Sequence, residues 1–117
     1  MIARLCHGVT PASRAEAYVR YMAETGVRDS RATAGNLGVL VLRRDDGADA
    51  NFLFTSFWES REAIRCFAGD DIERARYYPR DREFLITLQP RVALYEVVDL
   101  AGPDLAAHFA RMLKPLG

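Results

Sequence analysis

An α+β fold is predicted by three observations. Six segments show either the apolar runs of strands or the i, i+3, i+4 spacing of helices. A hairpin signal, Asp45-Asp46-Gly47, joins the second and third strand-like runs. One helix follows the first run and another follows the third, giving the order β-α-β-β-α-β.

Each element has its own local reason. Residues 2–9 read as a strand that Thr10-Pro11 stops. Pro11 suits a first helical position with Thr10 as cap, and Ser13 with Glu16 has capping-box spacing one turn in. Ala15, Tyr18, Val19 and Met22 then make an apolar stripe, Gly26 ends the helix, and residues 27–34 read as a polar loop. Strands follow at 35–44 and 50–59. Ser60 caps a second helix, striped by Ala63, Ile64, Phe67 and Ala68 and closed by Gly69. Asp70 or Asp71 caps a short turn reaching Arg76, and Pro79 opens another through Phe84 and Leu85. The last strand spans 91–99. After Gly102-Pro103 a tail helix shows Leu105, Phe109, Met112 and Leu116 on one side, with His108 beside them. Residues 1–99 thus form the domain and 100–117 a C-terminal helical extension.

Composition bounds the function. The chain has 117 residues, 16 Lys+Arg against 16 Asp+Glu, and 50% hydrophobic residues. A zero balance lacks the basic footprint of a dedicated nucleic-acid binder. No run approaches the 18 apolar residues of a membrane helix, so a cytoplasmic protein is expected, with Cys6 and Cys66 reduced. Two cysteines at that spacing make no metal motif, and no glycine-rich phosphate loop, H-E-x-x-H or G-x-S-x-G pattern is present.

The apolar surplus has a place to go. A ferredoxin-like βαββαβ antiparallel sheet carries both main helices on one face. A half-solvated sheet alternates apolar with polar residues, yet Val39-Leu40-Val41-Leu42, Phe52-Leu53-Phe54 and Val92-Ala93-Leu94-Tyr95 are apolar on both faces. A second copy packed on the helix-free sheet face accounts for this, making a homodimer of the dimeric α+β barrel type.

The stretch Phe57-Trp58-Glu59-Ser60-Arg61-Glu62-Ala63-Ile64 resembles the W-x-S-x-E-A signature of antibiotic biosynthesis monooxygenase (ABM) domains. Ala75-Arg76-Tyr77-Tyr78-Pro79-Arg80-Asp81, then Phe84-Leu85 and Tyr95-Glu96-Val97-Val98, is similar to the second half of the same proteins. The resemblance spans residues 1–99 in element order. It implies a dimer with a pocket between sheet and helices, and one of several activities: cofactor-independent oxygenation of polycyclic phenols, quinol oxygenation, or haem degradation.

Residue by residue, the resemblance makes Trp58 a pocket wall, with Phe54 and Ser56 on the same side; a core role for a buried Trp is the alternative. Haem-degrading members use an Asn on the first strand and a His after the second helix. His7 and Tyr77 stand at those positions here, so haem is disfavoured and no cofactor or metal is expected. His7 is either a base for a phenolic proton or a hydrogen-bonded strand-end residue. Tyr77 and Tyr78 either donate to a quinone-type carbonyl, oriented by Asp81 or Arg80, or close the barrel end. Arg4 is expected on the inter-sheet side with Glu96 as partner, and Arg28 and Arg31 in a loop at the pocket mouth. Two functions follow. One is a cofactor-independent monooxygenase oxidising a small aromatic or polyketide-type phenol or quinol with O2. The other is a non-enzymatic small-ligand-binding or interaction module on the same fold.

Overall fold

β1 (Ile2–Pro11) runs through the sheet interior with β3 (Asp49–Trp58) on one side and β4 (Ala93–Glu96) on the other, and β2 (Asn36–Asp46) closes the far edge. This is the architecture of a computed structural model that describes residues 1–105 and 107–108. All pairs are antiparallel and the order is β2-β3-β1-β4, the split βαβ arrangement expected from the sequence. The β2–β3 hairpin turns at Gly47-Ala48, with Gly47 at φ 61° and no positive φ at Ala48, the pattern of a type II′ turn.

The β1–β3 register decides which side chains meet. Ile2 faces Trp58, Arg4 faces Ser56 and Cys6 faces Phe54. Successive residues alternate faces, so the even-numbered residues of both strands share the helix-covered side. The odd-numbered residues, among them Leu5, His7, Leu53 and Thr55, share the other.

The first helical region departs from expectation in three ways. The strand continues through Pro11, because Pro11 pairs at the very end of the ladder, where its missing N–H costs nothing. Ala12–Arg14 form a 3-10 turn, and α1 (Ala15–Met22) starts only at Ala15, without a side-chain cap. Its buried residues are Ala15, Tyr18, Tyr21 and Met22, while Val19 is exposed. Nor does Gly26 end the helix. It keeps a negative φ inside a π-helical segment, Ala23–Val27, which leads directly into α2 (Arg28–Ala32) where a polar loop was expected. Gly26 packs so close to the Phe54 ring that a Cβ there would lie 3.3 Å from it. Thr25 Oγ donates to the Tyr21 carbonyl at 2.7 Å, helping to satisfy the widened turn. The helical run ends instead before Gly35, at φ 89°, where a Cβ would fall 2.5 Å from that of Ala63. Only glycine fits between α2 and α3.

α3 (Arg61–Ala68) is capped as the sequence predicts: Ser60 Oγ accepts from the Ala63 N–H at 3.2 Å, and Gly69 ends it at φ 92°. The turn expected at 70–76 is shortened. Asp71 caps it, its Oδ1 accepting from the Glu73 N–H at 3.3 Å and its carbonyl from the Arg74 N–H at 3.0 Å. It does not reach Arg76, because the stretch from Glu73 on bonds to the approach of β4. Ala75 N–H donates to the Pro90 carbonyl and Val92 N–H to that of Glu73. That diversion also shortens β4, expected over 91–99. At its other end Glu96 pairs with Ile2, and Val97 N–H reaches the Met1 carbonyl. α4 (Asp81–Phe84) forms where Pro79 placed a turn.

Two apolar clusters fill the layer between sheet and helices. Tyr18, Tyr21, Met22, Phe52, Phe84 and Leu85 make one, and Trp58, Ile64 and Phe67 the other. On the opposite face Leu40, Leu42, Leu53 and Tyr95 are 48%, 47%, 37% and 58% exposed. This is the apolar sheet face inferred from the strand compositions. In the tail, Pro103, Asp104, Leu105, Ala107 and His108 are helical; Phe109, Met112 and Leu116 lie outside the described residues. No helix among the described residues is long and apolar enough to cross a membrane.

Candidate functional site

A narrow cavity of about 50 Å³ lies between the two apolar clusters, under the helices and over the even-numbered side of β1 and β3. Arg4, Cys6 and Phe54 form its floor, Tyr18, Met22 and Gly26 one wall, and Phe67 with Arg76 the other. Tyr77, Tyr78 and Asp81 close the remaining side. The fold supplies each position. Period-2 alternation brings Arg4, Cys6 and Phe54 to one face, and the π-helical segment sets Gly26 against the Phe54 ring.

The polar groups are held in a few well-defined bonds. Arg4 is 3% exposed; its Nε donates to the Ile72 carbonyl at 3.2 Å and its Nη2 to that of Arg74 at 2.8 Å. Arg76 donates to the Phe67 carbonyl, lies over the Phe67 ring at 4.7 Å, and pairs with Asp29 at 3.6 Å. The Tyr78 hydroxyl donates to Asp29 at 2.7 Å, which with Arg28 and Arg76 holds that carboxyl below its ordinary range. Tyr77 donates its hydroxyl to the Gln89 carbonyl. The Tyr18 hydroxyl has no hydrogen-bond partner among the described residues.

Burial dominates the acid–base properties. It pushes the Cys6 thiol up, against the pull of Arg4, and raises the hydroxyls of Tyr18 and Tyr78. Tyr77 is pushed up to about 12 by burial and by nearby Cys6 and Asp81. The Asp81 carboxyl, 6% exposed, is raised by burial and only partly held down by the Tyr78 N–H it accepts at 2.6 Å.

That raised carboxyl fixes a sign. Asp81 binds its proton more readily in the folded chain than in the unfolded one. Between the unfolded value of about 3.9 and the higher folded value, its contribution therefore lowers stability as pH rises. Asp81→Asn keeps an acceptor for the Tyr78 N–H and removes the buried charge. The variant is expected to melt above the parent at pH 7 and to lose that advantage near pH 4, measured by thermal unfolding at both.

The sequence-predicted site residues divide among three places. Phe54, Tyr77, Tyr78 and Asp81 line the cavity. Trp58 does not: it is 0% exposed behind Phe67, with ring centroids 5.7 Å apart, and its indole N–H donates to Ser56 Oγ at 2.8 Å. His7 points to the other sheet face, among Leu42, Asn51 and Leu53. Its Nε2 bonds Asn51 Oδ1 at 3.0 Å and its Nδ1 bonds Gln89 Nε2 at 3.3 Å, so both ring nitrogens are engaged away from the cavity. Strand alternation takes His7 out of reach of a ligand bound beside Phe54.

Arg4 requires the converse correction. It lies on the helix side and not between sheets, held by carbonyls of 72 and 74 with no contact to Glu96. Arg28 and Arg31 stand on α2. Sequence reasoning missed Arg4, Cys6, Tyr18 and Arg76 as cavity residues. The available signal was parity, since the register pairs even with even and places Arg4 and Cys6 beside Phe54.

A wider apolar cleft of about 620 Å³ lies along β2, between Leu40 and Phe57 on the sheet and Leu100, Leu105 and His108 of the tail. It carries fewer polar groups than the inner cavity. Among the described residues no cluster of three His, Cys, Asp or Glu could hold a metal ion. For haem, the inner cavity offers a thiol and phenols but no imidazole, and its volume is far below the roughly 300–1,000 Å³ of ligand pockets. As it stands it does not fit a porphyrin.

No protein-family model and no curated protein matches the chain. Solved structures do. A Nitrosomonas europaea protein provisionally named an antibiotic biosynthesis monooxygenase is 14% identical, with a TM-score of 0.60 over 85% of this chain and 100% of that one. The haem degrader MhuD of Mycobacterium tuberculosis, solved with two haems in its active site, is 20% identical, with a TM-score of 0.59 over 87% and 100%. Rv0793 of the same organism is 19% identical, with a TM-score of 0.54 over 86% and 98%. At these identities the likeness establishes the fold that the sequence motifs suggested.

Proposed function

We propose that this chain is a cofactor-independent monooxygenase of the ABM type, oxidising a small phenol or quinol with O2 in the sheet–helix cavity. The observation that carries the reading is a buried carboxyl, Asp81, lining an aromatic-walled space whose other polar groups are hydroxyls, guanidinium ions and the Cys6 thiol. A carboxylate that burial makes more basic than an exposed one is better suited to taking a phenolic proton, and Asp81 fills the role the sequence suggested for His7. The phenolate then gives up electrons to O2. Overall a ring C–H and the hydroxyl become a quinone, one oxygen atom entering the product and the other leaving as water. Tyr77 and Tyr78 orient the carbonyl that forms, and the protein contributes position and desolvation.

Admission of substrate requires movement. A cavity of about 50 Å³ holds a few water molecules and no aromatic ring. Releasing the Tyr78–Asp29 bond opens the side closed by the two tyrosines. The protein acts as a homodimer through its open sheet face, with no cofactor. Its small resting cavity also favours a second reading, a ligand-binding module without turnover; haem degradation is a third.

Oxygen uptake by the metal-free protein over a panel of quinols and anthrones separates them. Turnover is expected, falling roughly 100-fold or more in Asp81→Asn and staying within about twofold in His7→Ala, whose side chain is on the other face. Binding without oxygen uptake would favour the module. A Soret shift on haem titration of the folded protein would favour the third reading.

A further inference from the structure

The guanidinium of Arg4 is not accounted for by folding alone. Among the described residues no carboxylate pairs with it, although the residue is only 3% exposed. Two of its three nitrogens donate to carbonyls, while Nη1 has no hydrogen-bond partner among the described residues and the residue lines the cavity. A buried cation without a counter-ion is costly, and a planar guanidinium is shaped for a carboxylate. A second cation stands close by. Arg4 and Arg76 lie 5.7 Å and 4.7 Å from the same Phe67 ring centroid. Among the described residues Arg76 has an ion-pair partner, Asp29 at 3.6 Å, and Arg4 has none.

We propose that the cavity takes an aromatic ligand bearing a carboxylate, whose negative charge is bound by Nη1 of Arg4 while the ring rests against Phe54 and Phe67. The inference rests on the cavity being the ligand site, and deepens that reading by naming the substrate class as a phenolic acid. The carboxylate supplies the ion-pair partner that Arg4 lacks among the described residues. The phenolic hydroxyl then lies toward Asp81, which lines the same cavity as Arg4 and Cys6. A neutral analogue of the same shape leaves Arg4 unanswered, and a charge-assisted hydrogen bond is the part it forfeits.

The test compares 4-hydroxybenzoate with 4-hydroxybenzamide by calorimetry on the full chain. The acid is expected to bind at least about tenfold tighter than the amide. In Arg4→Gln the two should bind within about twofold of each other, and Arg4→Lys, which keeps the charge, should restore part of the preference. Arg4→Gln also loses a hydrogen bond to the 72–74 stretch, so circular dichroism must show it folded; the comparison on the parent protein decides the matter without it. Equal binding of acid and amide to the parent would overturn the carboxylate assignment and leave the cavity as a site for neutral phenols. Binding of neither would overturn both the assignment and the site. An acid preference undiminished in a folded Arg4→Gln would place the anion elsewhere and overturn the role of Arg4.

Discussion

Replacing Trp58 with Ala is expected to cost about 3–5 kcal/mol of folding stability, read as a fall in the urea midpoint. The side chain is fully enclosed between β3 and α3, packed with Ile64 and Phe67. Truncation leaves a void that the rigid sheet cannot close and leaves Ser56 Oγ, also 0% exposed, without its donor. Against a total of roughly 5–15 kcal/mol for a domain, that removes most of the stability of a domain at the low end of the range. Trp58→Phe keeps most of the packing and loses the indole N–H, so an intermediate cost of about 1–3 kcal/mol is expected. A Trp58→Ala protein as stable as the parent would mean that the ring faces a ligand space and not the core.

The second large effect concerns assembly. Leu42 and Leu53 are directly opposed across β2 and β3, on the open face, at 47% and 37% exposure. If two copies pack through this face, the parent sediments near twice its 13.2 kDa chain mass. The double variant Leu42→Arg, Leu53→Arg sets two like charges against their own copies in the partner and against each other. It should sediment as a folded monomer, because neither side chain contributes to the helix-side core. A parent that sediments as a monomer would remove the dimer.

The fold was readable because its signals are local. Ser60, Gly69 and the hairpin glycine act within a turn of themselves, and each behaves as its residue type requires. What misled was equally local information overruled by packing. Gly26 looks like a stop, yet its missing side chain serves the Phe54 ring. The turn at 70–76 looks able to reach Arg76 until 90–92 arrive to bond with 73–75, a contact separated by more than a dozen residues. The site was half readable. Phe54, Tyr77, Tyr78 and Asp81 came through family resemblance and do line one cavity. His7 and Trp58 were placed together although one is odd-numbered and the other even, which the β1–β3 register sends to opposite faces. Arg4 was missed because a cation on an apolar strand was assigned to the wrong side of the same sheet.

The π-helical segment has a consequence for how such a site can change. In Ala23–Val27 the chain fits one more residue into a turn than an α-helix takes. Everything after it is thereby rotated about 100° around the helix axis relative to an unbroken helix. Asp29, which answers Tyr78 and Arg76 at the cavity's closed side, owes its bearing to that extra residue. The width of the entrance is therefore written in codon number as much as in codon identity. A single in-frame deletion here would re-aim the whole rim, a step that no single substitution can take.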